Sequence, residues 1–332
     1  MAIKSFLLIF FAAASVAQSA SVLVTANRIS DQPLLSSGKQ WTGFGLFNPT
    51  AITVGSKTVL LFRAQDQNQT SRIGYAESED GLHFSVRPEP LLSPDTDYEK
   101  GGGLEDPRVV RIADTYYLTY TGYDLHSAQL CLAMSRDLTH WERKGVILPA
   151  YKGTWNTQWT KSGAIIPEKI NGKWWMYYLG TRKDPDGLAR DYMGLASSTD
   201  LLHWVDATDK PVLERRPCAF DSRVMEPGPA PFITDAGILL LYNGADDHLV
   251  YGPGWILFDR NNPAHVIARA EKPFMLPTLA WEKTGNVPNV IFLEGAVGRN
   301  NQPGGASLDL VGYYGAADKH IGAMRIQVRL SQ

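Results

Sequence analysis

One strand-like phrase recurs five times along this chain and limits its possible folds more than any single motif. It reads Val59-Leu60-Leu61-Phe62-Arg63, Tyr116-Tyr117-Leu118-Thr119-Tyr120, Trp174-Trp175-Met176-Tyr177-Tyr178, Ile238-Leu239-Leu240-Leu241-Tyr242 and Leu310-Val311-Gly312-Tyr313-Tyr314. The closing aromatics Phe62, Tyr120, Tyr178, Tyr242 and Tyr314 are spaced 58, 58, 64 and 72 residues apart. Aliphatic and aromatic runs of this length favour strands, and a fixed period marks a repeat architecture.

Two further phrases keep step with the first. One follows it in three copies, each ending in Asp-(Gly/Leu)-x-His-(Phe/Trp), at Asp80 to Phe84, Asp137 to Trp141 and Asp200 to Trp204. The other precedes it, at Phe47-Asn48-Pro49, Glu105-Asp106-Pro107, Lys161-Ser162-Gly163, Met225-Glu226-Pro227 and Pro288-Asn289-Val290, so that Asn48, Asp106, Ser162, Glu226 and Asn289 recur at intervals of 58, 56, 64 and 63. Short strands in a fixed order, joined by Gly, Asp and Asn turns and without long helical periodicity, predict an all-β chain folded as a five-bladed β-propeller. A solenoid fits less well, because its repeats run to roughly 20–50 residues and are more regular.

Five blades consume residues 20–332 as a single catalytic domain. The residues before them read as a leader. Lys4, an apolar run from Phe6 to Ala17 and small residues at Ser15, Ala17 and Ser19 predict a signal peptide over 1–19, too short to span a bilayer, and hence a secreted protein, extracellular or periplasmic. Composition narrows the partners. A formal charge of −2, with no Lys/Arg block longer than two residues, leaves no electrostatic footprint for nucleic acid or an anionic membrane. The absence of CxxC and HExxH spacings argues against a metal, and no cofactor is expected. Cys131 and Cys218 either pair in an oxidising compartment or remain buried thiols.

The third phrase, as the innermost strand, would bring one polar residue per blade to one rim of a central funnel. The carboxylates there are Asp106 beside Glu105, Glu226, Glu294 and Asp318. Asp106 and Glu226, from blades two and four, would face each other. Inverting glycosidases need such a pair, an acid and a base roughly 6.5–9.5 Å apart with water between base and sugar. A single acid at a strand end is as readily explained by bonds to backbone N–H groups; the coincidence of five positions favours a site. Arg63, Arg182 and Lys161 lie at the same rim and either bind an anionic group or brace the carboxylates. His83, His140 and His203 belong to the recurring turn phrase and are expected to make turn hydrogen bonds. Trp41, Trp155 and Trp159 lie outside the strand phrases, for packing or for stacking on sugar.

In Gly103-Leu104-Glu105-Asp106-Pro107-Arg108, Lys161-Ser162-Gly163-Ala164-Ile165-Ile166-Pro167, Glu226-Pro227-Gly228-Pro229 and Leu241-Tyr242-Asn243-Gly244-Ala245-Asp246, the chain resembles glycoside hydrolase family 130, the β-mannoside phosphorylases and β-1,2-mannosidases. The resemblance implies a five-bladed propeller, inverting cleavage of β-mannosides, and Asp106 as the acid, acting through a sugar hydroxyl. In the family's phosphorylases a Tyr-His-Gly motif helps hold phosphate, and here Asn243 replaces its histidine; a usual Lys-Asp-Gly reads Lys161-Ser162-Gly163. Arg63 and Arg182 match the phosphate-side basic positions. Because a sugar phosphate is of little use outside a cell, export favours hydrolysis.

The expectation is therefore a secreted inverting glycosidase acting on short β-mannooligosaccharides. Asp106 is its acid and Glu226 or Glu294 its base, with Asn48, Arg63, Lys161, Arg182, Asn243 and Asp318 lining the sugar site. The alternatives are a phosphorylase using inorganic phosphate as co-substrate and releasing mannose 1-phosphate, a furanosidase on the same fold, and a non-catalytic carbohydrate-binding propeller. Retention of both Asp106 and Glu226 counts against the last. An oligosaccharide is the expected partner, and the sequence does not fix the oligomeric state.

Overall fold

The computed structural model describes residues 21–299 and 305–331; the leader expected over 1–19 lies outside them. The described chain is nearly all strand, and its single α-helix among the described residues is the short Ala280–Lys283. The five copies of the repeated phrase fall on Lys57–Gln65, Thr115–Tyr123, Trp174–Lys183, Gly237–Ala245 and Ser307–Ala316. Each is the second strand of an antiparallel set. The first strands of the sets are Gly45–Val54, Gly103–Ile112, Thr160–Ile165, Val224–Pro227 and Ile291–Gly298.

The sets form four sheets, because the first two are joined by one parallel bridge between Ser71 and Gly103. The sheets are not hydrogen-bonded into one closed ring. The fifth set is completed by the start of the described chain: Ser21–Arg28 pairs antiparallel along Met324–Ser331, from Ser21 opposite Ser331 to Arg28 opposite Met324. Burial follows position in the set. Gly237–Ala245 is buried throughout and carries the apolar run Ile238–Tyr242, whereas Ser21–Arg28 alternates exposed and half-buried residues, as an outer strand with one face in water should.

Apolar side chains pack between successive sets. Leu61 and Ile73 of the first meet Leu118 and Tyr120 of the second; Leu130, Met176 and Leu240 belong to one cluster across the second, third and fourth; Leu241 and Leu257 meet Ile291 and Met324 of the fifth. Tyr313 and Ala323 of the fifth then pack with Leu60 and Phe62 of the first.

The closing aromatics of the repeats have a shared use. Tyr120 donates its hydroxyl to Glu99 at 2.8 Å, Tyr242 to Asp221 at 2.5 Å, Tyr314 to Glu282 at 3.0 Å, and Tyr178 to Asp206. Arginines hold three of these carboxylates from another side: Arg143 on Glu99, Arg216 and Arg269 on Asp221, Arg28 on Glu282. A buried phenol needs an acceptor and a buried carboxylate needs donors, so each latch satisfies both. The first set has Phe62 instead, stacked on Trp41 with ring centroids 6.2 Å apart.

The Asp-x-x-His phrases are turns, as their spacing predicts. Asp80, Asp137 and Asp200 each accept the backbone N–H of the histidine three residues on and bond its Nδ1 at 2.7 Å. Cys131 is buried, Cys218 is exposed, and both are free thiols.

Candidate active site

A break in the ladder recurs where the polar residues of the third phrase stand. The register slips between Phe47 and Thr50, Glu105 and Arg108, and Lys161 and Ala164, opposite Phe62, Tyr120 and Tyr178. Asn48, Asp106 and Ser162 sit in these bulges with φ of 50°, 50° and 58°. Asn and Asp tolerate left-handed backbone better than other side-chain-bearing residues, and a bulge re-aims the side chain it carries.

The fourth and fifth sets depart from the spacing expected. Glu226 pairs with Asn243, one residue before the partner of Tyr242, and so occupies the position of Glu105 and Lys161 rather than that of Asp106. Asn289 precedes the fifth strand. The partner of Tyr314 is Leu293, and Phe292 takes the place corresponding to Glu226. Sequence intervals of about 60 residues cannot resolve a one-residue bulge, and the longer fifth interval conceals the remaining offset.

The first strands converge on a cavity of about 180 Å³ lined by Asn48, Arg63, Asp106, Lys161, Glu226, Tyr251, Val287, Val290, Phe292 and Asp318. Larger surface depressions exist, but none lies at these strands. Six of the nine residues singled out from the sequence are here. The other three are not. Arg182 pairs with Asp184 at 2.9 Å and lies over the Tyr192 ring at 4.2 Å from its centroid. Asn243 is buried with its amide spent on the backbone of Leu293, donating to the carbonyl at 2.9 Å and accepting the N–H at 2.7 Å. Glu294 is fully buried behind the cavity. Of the tryptophans, Trp155 is buried beside Tyr178 and Trp41 stacks on Phe62, so both are packing residues.

The cations of the cavity are already engaged. Arg63 reaches Glu105 at 2.5 Å, Asp106 at 3.3 Å and the Ser71 hydroxyl at 2.9 Å; Lys161 reaches Asp106 at 3.1 Å and Glu105 at 3.4 Å. Beneath them lies Arg108, which sequence reasoning passed over although it closes the Glu-Asp-Pro-Arg motif. Its guanidinium donates to the carbonyls of Asp106 at 3.0 Å, Pro227 at 2.6 Å and Gly228 at 3.1 Å, tying the second set to the fourth. It also stands 2.9 Å from Glu294 and 3.6 Å from Glu226. Its N–H groups aim at the carbonyls, so these last two are charge contacts. Tyr251 and Phe292, the aromatic part of the lining, also carried no sequence signal.

This arrangement splits the carboxyl groups. Burial pushes Asp106 up, but Lys161, Arg63 and Arg108 outweigh it and bring the group to about 2. Burial and the negative charge of Asp106 raise Glu226 to about 7 against the pull of Arg108 and Lys161, while Ser162 donates its hydroxyl to it. Asp318 rises to about 6, chiefly by burial, with Arg63 opposing. Burial drives Glu294 well above the carboxylate range. Between the steps of Asp106 and Glu226, and so in mildly acidic solution, the two groups share one proton and one negative charge, the inventory of a general acid–base pair. The proton rests on Glu226, the reverse of the order that the resemblance implies for the free groups. Among the described residues no three His, Cys, Asp or Glu are grouped as metal ligands.

Comparison with known proteins identifies the family. The family model described as β-1,4-mannooligosaccharide phosphorylase matches residues 26–330. A 1,2-β-oligomannan phosphorylase from Thermoanaerobacter sp. (strain X514) is 35% identical over 92% of this chain and 99% of its own length. Among solved structures, the β-1,2-mannobiose phosphorylase of Listeria innocua in complex with β-1,2-mannobiose superposes with a TM-score of 0.77 at 26% identity, over 90% of this chain and 96% of that one. Another, described as from the family of mannoside phosphorylases that contains glycoside hydrolases targeting β-1,2 mannosidic linkages in Candida mannan, has a TM-score of 0.78 at 30% identity, over 94% and 95%. With the family model spanning nearly all of the described residues, the chain belongs to glycoside hydrolase family 130.

Proposed function

We propose that this protein cleaves short β-mannooligosaccharides with inversion, in the cavity between its first strands, using Asp106 and Glu226 as the acid–base pair. The observation that carries this is the joint placement of the two carboxyl groups in the lining of one cavity, with opposite pKa displacements and one shared proton. Inverting cleavage needs one carboxyl to protonate the leaving oxygen and one carboxylate to activate the nucleophile. Of the two glutamates considered as base, Glu226 is the one that a nucleophile in the cavity can reach, since Glu294 lies behind Arg108. Arg63, Lys161, Asn48 and Asp318 act as sugar-binding groups in this reading. The five strand sets are read as the blades of a propeller, supported by the packing of the fifth set on the first and by the joint sheet of the two chain ends. Export is inferred from the leader-like segment and is tested by assaying spent medium.

Water is the proposed nucleophile. A phosphate dianion needs cations not already neutralised, and those of the cavity, Arg63 and Lys161, are paired with Glu105 and Asp106. Asn243, at the position of the phosphorylases' histidine, is committed to Leu293. The relatives' names favour phosphorolysis, and that is the second reading: Arg182 and Arg215 flank Tyr192 outside the cavity and share the carboxylate of Asp184, which leaves this pair a net positive charge for the anion.

Incubation with β-1,2- and β-1,4-mannobiose, with and without phosphate, separates the two by product. Free α-mannose formed without phosphate supports inverting hydrolysis; α-mannose 1-phosphate formed only with phosphate replaces water by an already ionised nucleophile, which keeps the acid and removes the base role of Glu226. A β-configured first product overturns inversion, and no turnover of any β-mannoside overturns the function.

A further inference from the structure

We infer, resting on the function proposed above, that Trp159 and Tyr151 form an external platform for the sugar rings on the leaving-group side of the scissile bond. The cavity, at about 180 Å³, is smaller than the roughly 300–1,000 Å³ of ordinary ligand pockets, so an oligosaccharide must carry some of its rings outside. Trp159 immediately precedes Thr160–Ile165, the strand bearing Lys161, and lies two residues, or about 7 Å of extended chain, from it. Tyr123 pairs with Gly103 at the start of the strand that bears Asp106. The two rings pack with centroids 6.1 Å apart. The patch therefore adjoins the cavity on the side of Asp106, where the resemblance places the proton donor and hence the leaving oxygen.

The patch is built and open. The Trp159 indole N–H donates to the Tyr151 hydroxyl at 3.0 Å, and that hydroxyl donates to the His126 carbonyl at 3.3 Å, fixing the rings relative to each other. Tyr151 is 51% exposed and Leu125 beside it 59%, and both are held at positive φ, 61° and 72°. Trp159 itself is half-buried, so the open part of the patch is chiefly the Tyr151 ring with the uncovered edge of the indole; aromatic surface held in this way suits the apolar face of a pyranose, whose hydroxyls point outward around it. A mannosyl unit stacked here is held without any charge.

The test measures kcat/KM on β-mannobiose, β-mannotriose and β-mannotetraose for the wild type, Trp159→Ala, Tyr151→Ala and Tyr151→Phe. The expected result is a wild-type gain from dimer to the longer substrates that falls about threefold to tenfold in either alanine variant and is kept in Tyr151→Phe. Thermal unfolding checks that each variant is folded, and Tyr151→Ala carries the test should Trp159→Ala not fold. An active wild type whose length dependence is unchanged in Tyr151→Ala overturns the platform alone. A wild type inactive on every length overturns the function and the platform with it.

Discussion

The ammonium of Lys161 stands 3.1 Å from Oδ2 of Asp106, so the carboxylate at the centre of the recurring motif is ion-paired by the protein itself. It is held ionised, and the partner that carries the proton is Glu226. Which of the two delivers that proton is a question for leaving groups.

Replacing Asp106 by Asn should lower turnover of unactivated β-mannosides by about 10²–10⁴-fold. If Asp106 is the donor, a dinitrophenyl mannoside, which departs without a proton, restores the rate, and Glu226→Gln is instead rescued by azide. The opposite pattern makes Glu226 the donor. Full activity in Asp106→Asn ends the proposed chemistry.

The shared proton predicts the pH profile. The pair holds one proton between its lower step, at about 2, and its upper step, at about 7. Above the upper step the acid is gone, so kcat/KM should fall about tenfold per pH unit beyond about 7. Glu226→Gln should remove that limb. A profile that rises through neutrality would place the essential proton on some other group.

Asn243→Ala should act on stability. It leaves the N–H and carbonyl of Leu293 without their partners inside the protein, at a cost of about 2 kcal/mol. A denaturant titration reads this directly; an unchanged midpoint with lost activity would return Asn243 to the sugar site.

The tyrosine latches predict a graded pair of variants. Tyr314→Phe removes one donor from Glu282, which keeps Arg28 and the N–H groups of Thr278 and Leu279, and should cost about 1 kcal/mol. Glu282→Ala strands all of those donors together and should cost about 3 kcal/mol or more. Equal effects would show that the latch has no hierarchy.

A thiol count is the simplest check on the cysteines. The folded protein should react with a thiol reagent once, at exposed Cys218, and twice when denatured. Burial pushes the Cys131 thiol up to about 12, which removes its reactive thiolate.

Much of the fold was legible because strands buried on both faces leave unbroken apolar runs in the sequence. The five second strands fall on the five repeated phrases, and Phe62, Tyr120 and Tyr178 stand opposite the register slips, while Tyr242 and Tyr314 pair with Pro227 and Leu293. The site was legible as a set of strand ends but not to the residue. A bulge adds one residue without changing the phrase around it, which is why Asn289 looked equivalent to Asp106. Arg108 was hidden for another reason: its partners are backbone carbonyls, and no sequence pattern reports a carbonyl. The carboxylates Glu99, Asp221 and Glu282 lie in connecting segments outside the repeated phrases, so only the folded chain shows that they answer the tyrosines.

The pairing of Ser21–Arg28 with Met324–Ser331 also bears on how the protein is made. During synthesis the earlier sets can pair as they emerge, but Ser21–Arg28 waits until all of those sets have been made before its neighbour Met324–Ser331 appears. Contacts between such distant residues slow folding. The last sheet therefore closes only once Met324–Ser331 has been made and has emerged, and until then an unpaired strand edge is exposed to other chains.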